Sequence, residues 1–190
     1  MQKPGELDLI ESAKRGDQQA FRKLVELHQR FAYQVAYRMM GNSNDAEDVV
    51  QEAFVKLWKN LSKYRWEVKL TTWLYKIVTN QCLDHLKSAA SKQKSLNKDI
   101  EFSLHVSDGS DPEKQFSDQE LVEVITTLAR RLTPKQQAVF VLRDLEGLSV
   151  EEVCEILDMP SGKLKSNLYY ARMKIREDLT LYYKETIKWL

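Results

Sequence analysis

Between Met159 and Arg176 the chain carries five lysines and arginines and no acidic residue, and their spacing decides what those cations can do. Leu164, Leu168, Ala171 and Ile175 recur at intervals of four, three and four, the period of one buried helical stripe. At about 100° per residue, Lys165, Ser166, Tyr169, Tyr170, Met173 and Arg176 point away from that stripe. Lys163 and Arg172 flank it, and Asn167 sits near its boundary. A helix of this build fits the major groove of a duplex, with Lys165 and Ser166 near base edges and the remaining cations on phosphates. The bland alternative is a solvated amphipathic helix that happens to be basic.

What precedes this helix weighs against the bland alternative. Thr133-Pro134-Lys135-Gln136 is a capping box with proline at the first helical position. The apolar run after it stops at Gly147, the residue type that takes a left-handed backbone at a helix end. Ser149-Val150-Glu151-Glu152 is a second capping box, opening a short helix whose Val150, Val153, Cys154 and Leu157 face inward. Asp158-Met159-Pro160 breaks it, and Ser161 caps the next helix. Two helices with separate start signals and so short a turn form a helix-turn-helix.

A second set of groups suits unpaired bases. Lys63, Tyr64, Arg65, Trp66 and Lys69 occupy a loop from Leu61 to Lys69, interleaving rings for stacking with charge for a backbone. Tyrosine and tryptophan near a helix start also serve as core anchors, and both readings stand at this point. The helix from Thr71 to about Ser88 buries Leu74, Ile77, Val78 and Cys82 or Leu86. Lys69, Lys76, Asn80 and Lys87 fall near one polar stripe, interrupted by Asp84, which solvation explains as well as nucleic acid does.

The rest of the chain supplies helices and one break. Glu6 to Arg15 reads as a short helix closed by Gly16, and Asp17 caps a longer one that ends at Gly41. Asn44-Asp45-Ala46-Glu47 reads as a capping box for a helix lined by Val49, Val50, Ala53, Phe54, Leu57 and Trp58. Its acidic side, Asp45, Glu47, Asp48, Gln51 and Glu52, suits the helix dipole. From about Ser88 to Asp118 the helical period vanishes, the first part basic and the second acidic, as in a linker. Leu96, Ile100, Phe102 and Leu104 are placed to dock locally. Gln119 to Arg131 returns to helix, with Leu121, Val124, Ile125 and Leu128 facing in. Leu179, Leu181, Tyr182, Tyr183, Ile187, Trp189 and Leu190 make an apolar tail, either an extended last helix or a partner surface. The expected fold is all-α: two small helical domains and a flexible linker.

Composition narrows the functions. With 190 residues and a net charge of +1, the positive charge is local, favouring a specific DNA contact over indiscriminate coating. No apolar run reaches the roughly 18 residues of a membrane span, and the polar N-terminus is unlike a signal peptide. Cys82 and Cys154 read as buried free thiols of a cytoplasmic protein. His28, on a helix surface, His85 and His105 show no metal spacing, and no phosphate-cradling loop or nucleophile elbow is present. The expectation is no cofactor, no metal site and no enzyme activity.

Taken together the motifs resemble an extracytoplasmic-function (ECF) sigma factor, the small two-domain specificity subunit of bacterial RNA polymerase. Asp17-Gln-Gln-Ala-Phe-Arg-Lys-Leu, Asn44-Asp-Ala-Glu-Asp-Val-Val-Gln-Glu-Ala-Phe-Val-Lys-Leu-Trp, Trp73-Leu-Tyr-Lys-Ile and Leu83-Asp-His-Leu-Lys are similar to the family's region two. Leu132-Thr-Pro-Lys-Gln, Leu145-Glu-Gly-Leu-Ser-Val-Glu-Glu-Val-Cys-Glu-Ile-Leu and Gly162-Lys-Leu-Lys-Ser are similar to region four. The resemblance runs from about Leu9 to Asp178.

The resemblance implies region two over 1–90, a linker over 91–118 and region four over 119–190. It implies that Asp48, Gln51, Glu52 and Val55 dock on a coiled coil of the polymerase clamp subunit. Tyr64, Arg65, Trp66, Lys69, Trp73, Lys76, Asn80 and Lys87 would open the minus-ten element and hold an extruded base. Lys163, Lys165, Ser166, Tyr169, Tyr170, Arg172 and Arg176 would read the minus-thirty-five duplex. The linker would thread toward the RNA exit path. Implied partners are core RNA polymerase, promoter DNA and an anti-sigma factor, with the chain a monomer in the holoenzyme, not inserted in a membrane, though an anti-sigma factor could hold it there. Many members place arginine where this chain has Asn167 and a basic residue where it has Tyr170, so the base preference does not carry over. Two alternatives stay open: a stand-alone helix-turn-helix regulator, and an all-helical interaction protein without a DNA role.

Overall fold

The computed structural model describes residues 4–95 and 118–187, with side chains over 5–88 and 121–184. Every regular element among them is helical. The first half comprises α1 (Pro4–Lys14), α2 (Gln18–Met40), α3 (Ser43–Asn60), a short 3-10 turn at Leu61–Lys63, and α4 (Leu70–Ser95). The second comprises α5 (Asp118–Ala129), α6 (Pro134–Phe140), a π-helical continuation at Val141–Leu145, α7 (Val150–Leu157) and α8 (Ser161–Ile187).

Local chemistry sets the element ends. The Asp17 carboxylate accepts the amides of Gln19 and Ala20, so α2 starts with its first donors satisfied. Thr133/Gln136 and Ser149/Glu152 form both reciprocal halves of their capping boxes. Two expectations shift. Asn42, not Asn44, caps α3, because its side chain accepts the Asp45 amide. Ser161 is the first helical residue of α8 rather than its cap. The break before it rests on Asp158, held left-handed at φ 49°, a conformation aspartate tolerates better than most residues.

The long helices also overrun their expected ends. α4 continues to Ser95, seven residues past Ser88, so the start of the expected linker at residue 91 lies inside a helix. α8 runs on to Ile187, which makes the apolar tail a helical extension as far as that residue. Leu96, Ile100, Phe102, Leu104 and His105 lie outside the described residues, as do the side chains of Ile187, Trp189 and Leu190.

The first half is built around α2, whose Leu24, Ala32, Val35, Ala36 and Met39 are buried against Val49, Ala53 and Leu57 of α3 and Leu74, Val78 and Cys82 of α4. The second half buries Val139, Leu142, Val153 and Ile156 against Leu164, Leu168, Ala171 and Ile175 of α8. Ile156, absent from the expected inward set of α7, is buried, while Cys154 is only half-buried. Burial pushes the Cys82 thiol up to about 12, which leaves it an inert apolar group.

The halves pack on one another and their cores form one contiguous cluster. Arg38 near the end of α2 donates to the Leu145 carbonyl at 2.9 Å and pairs with the Glu146 carboxylate. Gln137, itself buried, donates to the Met39 carbonyl at 3.0 Å, and Arg130 donates to the Gly41 carbonyl at 3.2 Å. The Met39 carbonyl in the last turn of α2 and the Gly41 carbonyl just past it thus find partners in the other half. Gly41 permits this twice over, by its φ of 79° and because a Cβ there would stand 2.2 Å from the Arg130 Nη1.

His28 departs from its expected solvated position. It is buried on α2, and in its neutral form Nε2–H donates to the Glu6 carboxylate of α1 at 3.0 Å. Burial lowers its pKa more than Glu6 raises it. A histidine that resists protonation when folded supports stability above its unfolded pKa, and that support is lost as pH falls from about 6.5 through the lower folded value. Thermal melts between about pH 7.5 and pH 5.5 should therefore show the wild type losing more stability than His28→Gln; equal losses would assign the dependence elsewhere.

Candidate nucleic-acid interface

The face of α8 opposite its buried stripe is open. Lys163, Lys165, Ser166, Tyr169, Tyr170, Met173 and Arg176 are all exposed, with Tyr169 at 62% and Tyr170 at 56%. The two tyrosine rings meet edge to face with centroids 5.5 Å apart. Ser166 donates its hydroxyl to the Gly162 carbonyl, and the Asn167 side chain donates to the Lys163 carbonyl, so both polar side chains are partly tied to their own helix. Arg172 behaves differently from its neighbours. Its guanidinium grips Asp144 with two parallel bonds, Nε at 2.8 Å and Nη2 at 2.7 Å, and this raises its pKa. Asp144 belongs to the π-helical segment, so the bond fixes α8 against the segment that precedes α7.

The loop before α4 resolves two readings differently for its two aromatics. Tyr64 is a core anchor: it is buried, its hydroxyl donates to the Val68 carbonyl, and its ring stacks on Trp73 at 5.3 Å. Trp66 packs edge-on against Tyr64 but stays 45% exposed, with the Lys14 ammonium 5.5 Å from its ring centre. Arg65, Asn80 and Lys87 are exposed, Trp73 and Lys76 half-buried. Lys69 lies 3.5 Å from Glu152 of α7, and Lys87 lies 3.5 Å from Asp84. Glu152 owes its lowered pKa first to the Ser149 amide and then to Lys69.

On α3, Asp48, Gln51, Glu52 and Val55 are exposed together at helical spacing. Glu52 accepts from Gln81 of α4, which in turn accepts from Lys56. Beside them α2 and α3 enclose an apolar groove of about 1030 Å³, lined by Phe21, Val25, Tyr33, Val50, Gln51, Phe54, Val55 and Trp58. Among the described residues no group of His, Cys, Asp and Glu could hold a metal ion, and no helix is long and apolar enough to cross a membrane.

The sigma-70 region 2 profile matches residues 24–92 and the sigma-70 region 4 profile residues 123–175. The ECF RNA polymerase sigma factor SigW of Bacillus subtilis (strain 168) is 34% identical over 179 residues, covering 90% of this chain and 94% of its own. The chain belongs to the ECF RNA polymerase sigma factors. The sigma-E factor of Escherichia coli (strain K12) is also 34% identical, over 173 residues, covering 88% of this chain and 90% of its own. The sigma factor RpoE of Bartonella quintana, solved in complex with the anti-sigma factor NepR, shares the fold at a TM-score of 0.65 and 22% identity, covering 84% of this chain and 96% of its own. As an alternative sigma factor, this chain carries its stacked aromatics in region two and its open basic helix in region four.

The sequence missed Lys14, Arg38, Asp144, Glu146 and Glu152 as neighbours of these surfaces. Their partners are distant in the chain, and no local period points to them.

Proposed function

We propose that this ECF sigma factor docks on core RNA polymerase through Asp48, Gln51, Glu52 and Val55 and directs it to a bipartite promoter, with 1–90 as the minus-ten domain and 119–190 as the minus-thirty-five domain. Region four reads the upstream duplex with Lys165, Ser166, Tyr169 and Tyr170, while Lys163 and Arg176 meet phosphates. Region two receives the melted minus-ten strand on Trp66, Arg65, Lys69, Lys76, Asn80 and Lys87, over a platform held rigid by Tyr64 and Trp73. The observation that carries this reading is the open aromatic and cationic face of α8, set by the buried stripe behind it, within the stretch matched by region four. The subunit confers specificity and leaves the chemistry to the polymerase. It works in the cytoplasm, with an anti-sigma factor as a further partner by analogy with the Bartonella complex.

The test is run-off transcription from a library of promoter fragments with core polymerase, with and without this protein. Transcripts that start only in its presence establish the reading and report both recognition elements. Duplex binding without polymerase, together with no stimulation, would favour a stand-alone regulator.

Arg172 is better read as a brace for α8 than as a phosphate contact, because Asp144 already occupies its guanidinium on both donors. Asp144→Ala and Arg172→Ala should each weaken minus-thirty-five binding about two- to fivefold, the range of an exposed pair worth roughly 0.4 to 1 kcal/mol. The reversed pair, Asp144→Arg with Arg172→Asp, should regain most of it. If Arg172 instead holds a phosphate, Asp144→Ala will not weaken binding and only the Arg172 variants will lower the salt slope.

A further inference from the structure

We propose that Lys14, in the last turn of α1, binds a phosphate of the melted single strand and forms one nucleotide site with Trp66. This deepens the minus-ten assignment of the loop before α4 and rests on it. α1 (Pro4–Lys14) precedes the stretch matched by the region 2 profile, residues 24–92, so that match assigns it no role.

Both partners are held from behind. Ile10 and Ala13 of α1 are buried, and Lys14 follows four residues after the first and one after the second, at the edge of the packed face. Tyr64 is buried as well: its hydroxyl donates to the Val68 carbonyl and its ring stacks on Trp73 of α4 at 5.3 Å. Trp66 packs edge-on against Tyr64 and stays nearly half exposed, so a braced loop presents it to solvent. The Lys14 ammonium lies 5.5 Å from the centre of the Trp66 ring.

An aromatic surface with a cation beside it suits an unpaired nucleotide. The ring takes the base, and the phosphates, which extend past the stacked rings, come within reach of the lysine. The helix dipole does not by itself call for this placement, because Arg15 already sets a cation at the C-terminal end of α1. What Lys14 gives up on binding is small. Its carboxylate partner Glu11 is 3.6 Å away and 45% exposed, so water replaces the lysine there readily. The Lys14 side chain is itself only 20% exposed, so it has less rotamer freedom to lose than a free surface lysine. An ammonium held beside the ring by weak contacts exchanges them for a phosphate without rearranging the loop.

The test is binding of a fluorescent single strand, bearing the non-template minus-ten sequence of the best run-off promoter, to holoenzyme assembled with each variant. One single-strand phosphate contact contributes about 0.7 to the slope of log affinity against log salt, so Lys14→Gln should make that slope shallower by about 0.7. Over the tenfold range from ~0.1 M to ~1 M salt, this makes the variant about fivefold weaker at the lower concentration and equal to wild type at the higher. Lys14→Arg, which keeps the cation, should follow the wild type throughout. A defect that persists at high salt with an unchanged slope overturns the proposal and leaves Lys14 a prop for Trp66. Wild-type binding by Lys14→Gln at every salt concentration overturns it too, and leaves the ring to act alone. Run-off on the same samples keeps the two ideas apart: either of these results with normal wild-type transcripts sinks the Lys14 contact only, whereas a wild type that starts no transcripts sinks the sigma reading and the contact with it.

Discussion

Replacing Val55 with aspartate should weaken binding to core RNA polymerase about thirtyfold, the loss of roughly 2 kcal/mol expected when a buried interface anchor is removed. Val55 is 46% exposed in the free chain, an unusual place for a β-branched apolar side chain on a helix whose neighbours Glu52 and Lys56 are polar. It borders the apolar groove between α2 and α3, where the half-buried Phe21 and Trp58 present ring surface. A coiled coil laid along Asp48, Gln51, Glu52 and Val55 would bury that valine in the middle of the patch, with the carboxylates at its rim. Aspartate there must be desolvated on docking without a partner. Because the side chain supports nothing inside the fold, the thermal melt should stay within the range of surface substitutions, roughly 0.5 kcal/mol. Titration of labelled protein with core polymerase reads the affinity, and an unchanged value would remove Val55 from the docking surface. Phe54, 7% exposed and facing the core, is the contrasting position: its truncation would confuse unfolding with lost docking.

What the sequence made legible follows from how far each residue must look for its partner. The stripe Leu164, Leu168, Ala171 and Ile175 was readable because burial on one helix face repeats with the helix period, and all four are buried. Both capping boxes were readable because donor and acceptor sit three residues apart. Asn42 escaped because Asn44-Asp45-Ala46-Glu47 offers an equally good local pattern, and only the chain's exit from Gly41 selects between them. The π-helical segment left no trace, since a single wider turn does not disturb an apolar run such as Val139 to Leu142. His28 looked solvated because its partner, Glu6, lies on another helix. The partner of Arg172 was hidden for the same reason: helical spacing places Arg172 at the edge of the basic face, and Asp144 lies on another element. The packing of the two halves was legible in no local pattern, because Arg38 and Glu146 are joined only through the fold.

Lys165→Ala should lower transcription from a minus-thirty-five-dependent promoter by about 5- to 150-fold, the consequence of losing roughly 1 to 3 kcal/mol if its ammonium meets a base edge. Lys165 is exposed in the first turns of α8, where a helix entering the major groove reaches deepest, and Tyr169 stands one turn behind it on the same face. No acidic side chain is paired with it among the described residues, in contrast to Lys69, Lys87 and Arg172, so its charge is available to the duplex without first breaking a bond. The form of the loss carries more information than its size. A base-edge contact predicts that the variant loses discrimination at one upstream position while its salt dependence barely changes. A phosphate contact predicts uniform weakening across sequences and a salt slope smaller by about one. Repeating run-off transcription on the promoter library at two salt concentrations distinguishes them, and full activity of the variant would remove Lys165 from the interface. Tyr170 sharpens the same experiment, because a tyrosine contributes stacking and apolar contact but no counterion release. The face of α8 therefore depends on Lys165 for more of its charge than a richer basic helix would, which is why this single lysine is expected to matter so much.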